Sequence, residues 1–303
     1  MARGAMREMR TGRCEPPRGG WGRVMNEPEW YECDNDLAGI RVVATDMDCT
    51  LLADDGTMPP DMPALIDALD GLGITFCAAS GRPGYTLEDM FSDRLDRMAL
   101  ISDNGAGVVC RGKRVYSDRI EPARYHELID FTLADGRGCP TVCGIDACFI
   151  LERDRAFDAF FRRFYRKIVY LESFEGLDAE VNKYTVCFPD GIAEDVYREA
   201  YRDAWGSAFT VTNAGREWID LMNRGVDKGS GLARLCGHVG CTPAEAMVFG
   251  DTYNDIPMLR VAGHGVIVAN AEDHMRAHAR YVAPSNNDRG VARVLERLID
   301  LRS

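Results

Sequence analysis

No apolar run in this sequence of 303 residues comes near the ~20 residues that cross a bilayer as a helix, so nothing in it reads as a membrane span. The chain is also short of positive charge. Its 36 Lys and Arg stand against 48 Asp and Glu, a net charge of −12, which argues against nonspecific binding to nucleic acid or an anionic lipid surface. A disulfide framework is missing as well. The 11 cysteines are odd in number, scattered, and partly embedded in strand-like runs (Cys77, Cys110, Cys187), the usage of buried or surface thiols in a cytoplasmic protein. Zinc-type spacing is absent: Cys236, His238 and Cys241, with His274 and His278 one helical turn apart, fit no common pattern, and neither do Cys139, Cys143 and Cys148. No internal repeat or low-complexity tract appears.

What is present is ample apolar content. At 46% hydrophobic the chain can build one large or two medium cores. Residues 1–36 do not contribute: the stretch is rich in Arg, Gly and Pro, resembles neither a secretory signal nor a transit helix, and reads as a disordered extension in which Met25 offers an alternative start.

From residue 37 a regular rhythm begins. Ile40 to Ala44 is a short, largely β-branched run, the pattern of a strand buried on both faces of a parallel sheet. A helix near 63–71, a strand over 74–79 and another over 100–102 follow with short links. This alternation predicts an α/β, Rossmann-like, doubly wound parallel sheet. The rhythm changes at Gly107, where a hairpin turns at Arg111-Gly112-Lys113, and hairpins and helices continue to Asp220. We read 107–220 as an inserted α+β cap, a lid over a core made of 37–106 and 221–303.

The strand before residue 46 ends in two carboxylates, Asp46 and Asp48, spaced to face one pocket. The carboxyl end of such a strand is where open α/β sheets bind ligands. Other groups at the same sheet edge complete a set suited to phosphoryl transfer. Asp46 is a candidate nucleophile, and Asp48 a candidate acid and then base. Ser80, with the backbone beside Gly81, can hold phosphoryl oxygens, and Lys228 offers a point charge. Asp251, with Asp46 and the carbonyl of Asp48, can bind a hard cation such as Mg²⁺, while Asp255 steadies Lys228 and the metal's waters.

These residues resemble a known family. Asp46-Met-Asp48-Cys-Thr50-Leu-Leu, Ser80-Gly81-Arg82, Asn104-Gly105-Ala106, Asp227-Lys228-Gly229 and Gly250-Asp251-x-x-Asn254-Asp255-x-x-Met258-Leu259 are similar to the haloacid dehalogenase-like hydrolases, in their Cof-type phosphatase branch. Asn270-Ala271 and Asn287-Asp288-x-Gly290-Val291 match smaller features of that branch. The resemblance runs from about residue 37 to the C-terminus. It implies a mobile lid and Mg²⁺-dependent hydrolysis of small phosphomonoesters through an aspartyl-phosphate. It also makes Asp46, Asp48 and Asp251 the metal set, adds Asn254 to the phosphate contacts, gives Thr50 and Asp255 supporting parts, and puts Arg82 and Asn104 near the lid.

Sugar phosphates are the substrate class the resemblance favours, ahead of flavin mononucleotide, pyridoxal phosphate and nucleotides. A catalytically silent phosphate-ligand-binding regulator is the rival reading. Lid residues that could face the pocket are Arg111, Lys113, Lys183 and Trp218. One departure stands out: Cys49 occupies a place where the family usually has Gly. A Cβ there restricts the loop if the position needs φ > 0, and the thiol would expose the site to oxidation.

Overall fold

A computed structural model describes residues 27–303; the part of the expected extension over 1–26 lies outside the described residues. In chain order the strands are β1 (Glu29–Trp30), β2 (Val42–Thr45), β3 (Thr75–Ala79), β4 (Ala99–Ser102), β5 (Gly107–Cys110) and β6 (Lys113–Ser117). Next come β7 (Cys139–Gly144), β8 (Cys148–Leu151), β9 (Ile168–Leu171), β10 (Val181–Cys187), β11 (Phe209–Asn213) and β12 (Trp218–Asn223). The last are β13 (Ala246–Gly250), β14 (His264–Val268) and β15 (Tyr281–Ala283).

They form two sheets. The first has the order β1-β15-β14-β13-β2-β3-β4-β5-β6 and the second β11-β12-β10-β7-β8-β9. In the first sheet β2 is central, and period two along it decides which core each residue enters. Val43 joins the core under the helices Met62–Gly71 and Gly290–Arg302, whereas Val42 and Ala44 join the opposite core under the helix Lys228–Val239. The helix Met62–Gly71 buries Met62, Leu65, Ile66 and Leu69, the i, i+3, i+4, i+7 stripe of a sheet-covering helix. Both faces are thus dry, as a parallel sheet requires. From β2 the chain runs outward through β3 and β4 on one side, and from β13 through β14 on the other. The crevice where the order reverses opens at the carboxyl ends of β2 and β13.

Three sequence expectations need correction. The hairpin β5–β6 belongs to the first sheet rather than to the insert: β5 pairs antiparallel with β4. Its Val108 and Cys110 enter the same core as Ile101, so a tight turn satisfies strand pairing and burial together. At the other end, β12 carries the second sheet to Asn223, past the expected boundary at Asp220. Finally, residues 29–36 are in the fold. β1 pairs in parallel with β15, and Asp34 Oδ2 lies 2.7 Å from His264 Nδ1 on β14.

The second sheet has two unlike faces. Val181, Tyr184, Val186 and Phe188 bury against the helix Pro122–Asp135 and its neighbours. Lys183 and Thr185 alternate to the other face, with Trp218, Asp220 and Met222 of β12 beside them. A bulge between Val181 and Lys183 resets the alternation. That second face looks onto the crevice of the first sheet.

Candidate active site

Asp46 follows the last residue of β2, and its N–H donates to the carbonyl of Phe249 on β13 at 2.9 Å, so the loop stays stitched to the neighbouring strand as it leaves the sheet. The residue is 6% exposed. Lys228, at the start of the helix Lys228–Val239, is completely buried and donates to Asp46 Oδ1 at 2.5 Å and Asp255 Oδ1 at 2.7 Å. Asp227 fixes that helix start by capping the Ser230 amide at 2.7 Å. Asp255 in turn accepts from the amides of Asp251 and Thr252 with its other oxygen, at 2.9 and 3.1 Å. The hydroxyl of Thr50 donates to Asp251 Oδ1 at 2.8 Å.

These contacts gather Asp46, Asp251 and Asp255 so that one carboxylate oxygen of each lies within 4.8 Å of the others. Burial and crowding set the electrostatics. Desolvation outweighs the nearby Lys228 ammonium and pushes the Asp46 carboxyl up to about 7, with Asp255 and Asp48 adding to the rise. Burial, then the charges of Asp46 and Asp255, raises Asp251 well above the carboxylate range. For Lys228 burial alone would favour the neutral amine, but Asp255 and Asp46 outweigh it and hold the ammonium above its ordinary value. Three carboxylates face one ammonium, and their donor atoms are all oxygen. Such a cluster can bind a hard divalent cation.

Asp48 sits differently. Its carboxylate turns from the cluster to a two-pronged pair with Arg82, Nη2–Oδ1 2.6 Å and Nε–Oδ2 2.9 Å, and Phe164 of the insert lies 5.4 Å from the guanidinium. The next residue, Cys49, has φ = 58°, so this position does require the left-handed region, at a cost of about 1–2 kcal/mol for a residue with a Cβ. Asn270 Nδ2 holds its carbonyl at 2.7 Å. On the expected oxidation sensitivity the structure points both ways: Cys49 is exposed, whereas partial burial, followed by Asp251, Asp48 and Asp46, pushes the thiol up to about 11, away from the reactive thiolate.

Ser80 follows the last residue of β3, buried, with its hydroxyl oxygen accepting from the Arg82 amide at 3.1 Å. Gly81 leaves little room for a side chain: a Cβ there would lie 3.2 Å from Asn104 Oδ1, which would have to give by a few tenths of an ångström. Asn104 donates to Asp220 Oδ2 at 2.6 Å and accepts from Asn254 Nδ2 at 3.1 Å. The Asn254 carbonyl oxygen is buried without a partner among the described residues.

A cleft of about 660 Å³ runs between the sheets. Asp46, Asp48, Ser80, Gly81, Arg82, Asp251 and Asn254 line it from the first sheet. Lys228, Thr50, Asp255 and Asn104 stand behind these, each bonded to a lining residue or, for Asn104, packed on Gly81. From the second sheet come Lys183, Trp218 and Asp220, with Arg163, Phe164 and Arg216 from adjoining segments. Of the four lid candidates, Lys183 and Trp218 therefore face the cleft. Arg111 instead pairs with Asp70 at 2.6 Å, and Lys113 is exposed on the hairpin. Asp220, Phe164, Arg163 and Arg216 were not singled out by sequence. For Asp220 a signal existed, the acid alternating with Trp218 and Met222 along β12.

Comparison with known proteins follows the same chain. A family model described as haloacid dehalogenase-like hydrolase matches residues 43–295. The 5-amino-6-(5-phospho-D-ribitylamino)uracil phosphatase YbjI of Escherichia coli K12 is 30% identical over 262 residues, 86% of this chain and 96% of that protein. YitU of Bacillus subtilis 168, of the same description, is 24% identical over 274 residues, 86% of this chain and 98% of the relative. Among solved structures, SMU.1108c from Streptococcus mutans UA159 superposes with a TM-score of 0.81 at 24% identity, covering 86% of this chain and 99% of that one.

Proposed function

The chain belongs to the haloacid dehalogenase-like hydrolases and is a phosphatase of small phosphorylated substrates, and from that premise we propose a Mg²⁺-assisted route through an aspartyl-phosphate. The Asp46 carboxylate attacks phosphorus, and the bond from phosphorus to the ester oxygen breaks. Asp48 gives its proton to the departing alkoxide, then takes one from the water that cleaves the acyl phosphate, returning Asp46 and releasing inorganic phosphate. Ser80, the amides beside Gly81, Lys228 and the second Nδ2 proton of Asn254 hold the phosphoryl oxygens, while the orphaned Asn254 side-chain oxygen is free to accept from a hydroxyl. Arg82 steadies Asp48, Asn104 backs Gly81, and Thr50 and Asp255 orient Asp251 and Lys228. Asp46, Asp251 and the Asp48 carbonyl would hold Mg²⁺, which when bound neutralises charge on the phosphoryl group. The buried excess of carboxylate oxygen suits that ion.

The observation that carries this reading is the meeting of Asp46, Lys228, Asp251 and Asp255 at the sheet crevice from loops far apart in sequence. For the substrate we propose a sugar phosphate. Within that class the phosphoribityl-aminouracil named for YbjI and YitU leads, supported by Phe164, Trp218 and the cationic Arg163 and Arg216 on the lid side of the cleft. We place the enzyme in the cytoplasm, a reading supported by buried thiols at Cys77, Cys143, Cys148 and Cys187. Among the described residues no helix is long and apolar enough to cross a membrane.

The test is release of p-nitrophenol from p-nitrophenyl phosphate with Mg²⁺, followed by kcat/KM over phosphoribityl-aminouracil, hexose phosphates, flavin mononucleotide, pyridoxal phosphate and nucleotides. Activity no higher than that of Asp46→Asn would refute the mechanism. A flat panel would refute the substrate class.

A further inference from the structure

Within the second sheet, Lys183 is buried to 3% exposure yet lies in no ordinary surface ion pair. Its ammonium spans the gap between the sheets, donating to the carbonyl of Gly81 at 2.8 Å while Asp220 Oδ2 holds it at 3.1 Å. Asp220 is itself fixed, by Thr185 from within its own sheet and by Asn104 from the other. A buried ion pair of this kind is a poor way to gain stability, since apolar side chains of similar volume would do as well or better. Its geometry has a more specific consequence. The Gly81 carbonyl and the Arg82 N–H belong to one planar peptide unit. Lys183 grips the oxygen end of that plane, and Ser80 Oγ accepts from the nitrogen end at 3.1 Å. With one lone pair of Ser80 committed to this amide, its hydroxyl proton is left to point elsewhere, into the cleft that Ser80 lines.

We propose that Lys183, braced by Asp220, is a positioning residue that the inserted sheet lends to the phosphate loop, fixing the Gly81–Arg82 peptide and through it the direction in which the Ser80 hydroxyl donates. The absence of a side chain at Gly81 lets the loop pack closely here, because a Cβ would stand 3.2 Å from Asn104 Oδ1, the residue that holds Asp220. The clamp exists only while the two sheets are docked as in this structure. A phosphate loop completed by the lid therefore donates correctly only under a closed lid.

The inference rests on the assignment of Ser80 to the phosphoryl oxygens, and the experiment separates the two. Kinetics with p-nitrophenyl phosphate and with a sugar phosphate are measured for Ser80→Ala, Lys183→Met and the double variant. Ser80→Ala is expected to lower kcat about 100-fold and Lys183→Met about 30-fold, by the same factor for both substrates. In the Ser80→Ala background, Lys183→Met should cost less than about 3-fold, because the group it aims is gone. A second variant, Lys183→Met with Asp220→Asn, removes both charges while leaving an acceptor beside Asn104 and Thr185, and must still lose kcat with a thermal midpoint close to that of the parent. Full additivity with Ser80→Ala, a loss that depends on the leaving group, or no loss in the uncharged pair would each overturn the proposal. If Ser80→Ala were itself silent, the assignment of Ser80 would fail and the clamp with it, while the Asp46→Asn comparison would still report on the hydrolase.

Discussion

Two buried lysines flank the cleft, Lys183 lining it from the second sheet and Lys228 standing behind Asp46 at the start of a helix, and they differ in how their charge is answered. Lys228 sits between Asp46 and Asp255, with Asp251 close by, so its surroundings hold more negative charge than it can balance. Lys183 has Asp220 and a peptide carbonyl, a set balanced without outside help. The first arrangement has carboxyl groups in excess, a set that could hold a metal ion. The second is complete in itself and can only hold something in place. On the proposed mechanism, the contrast separates the groups that take part in chemistry from those that aim them, on physical grounds and without reference to motif.

The largest effect should come from Lys228. In Lys228→Met two buried carboxylates lose their ammonium, which costs about 3–5 kcal/mol when one partner of such a pair is removed. The loss of charge facing the phosphoryl group should lower kcat/KM about 1000-fold. Urea unfolding and p-nitrophenyl phosphate kinetics measure both. A smaller kinetic loss here than in Lys183→Met would break the comparison.

A cation should act on one lysine's surroundings and not on the other's. Desolvation raises the folded carboxyl of Asp46 to about 7 from an ordinary 3.8. Without metal, therefore, the folded state holds more protons than the unfolded one in that window. Stability from this group is fully present below 3.8 and is lost as pH rises through 7. A bound cation replaces the missing proton. Added Mg²⁺ should accordingly raise the thermal midpoint more at pH 8 than at pH 5.5, and at 100 times its dissociation constant a bound ion adds about 2.7 kcal/mol. Lys183→Met should retain that shift, and Asp251→Asn should lose most of it. Calorimetry with and without chelator decides, and an equal shift at both pH values would contradict the charge argument.

How much of this was legible in the sequence follows from the same contrast. The first-sheet groups sit at strand ends, where a β-branched run stops and a polar residue begins, so Asp46, Ser80 and Asp251 could be located by local pattern alone. Lys183 could be named but not placed. The bulge between Val181 and Lys183 breaks the period of two on which any assignment to a face depends. Its partner Asp220 alternates with Trp218 and Met222 in the sequence, but only the register that sets Thr185 opposite Asp220 brings it to Lys183. The hairpin β5–β6 was misassigned because antiparallel pairing suggested a new unit, whereas burial of Val108 beside Ile101 keeps it in the first sheet. Asp34 was lost to the same reasoning in reverse. It lies among Glu32, Asn35 and Asp36, and what fixes it are contacts far off in sequence, to His264, 230 residues away, and from Arg297, which donates to its carbonyl at 3.1 Å.

The smallest effect tests whether Lys183 is balanced by Asp220 alone. Asp103 is also buried near it, and burial raises its carboxyl to about 6 against the lowering effect of the Lys183 ammonium. One of its oxygens has no partner among the described residues. A raised folded value means that this group's stability is fully present below 3.8 and is lost as pH climbs through 6, where the buried carboxyl is forced to ionise. Asp103→Asn cannot ionise, and asparagine accepts the backbone φ of 50° at this position. The thermal midpoint of the variant relative to the parent should therefore rise between pH 4.5 and pH 8, with kcat little changed. If Asp103 were instead the ionised counterpart of Lys183, the variant would lose ground at pH 8, and the self-contained pair of Lys183 and Asp220 would have to be redrawn as a triad.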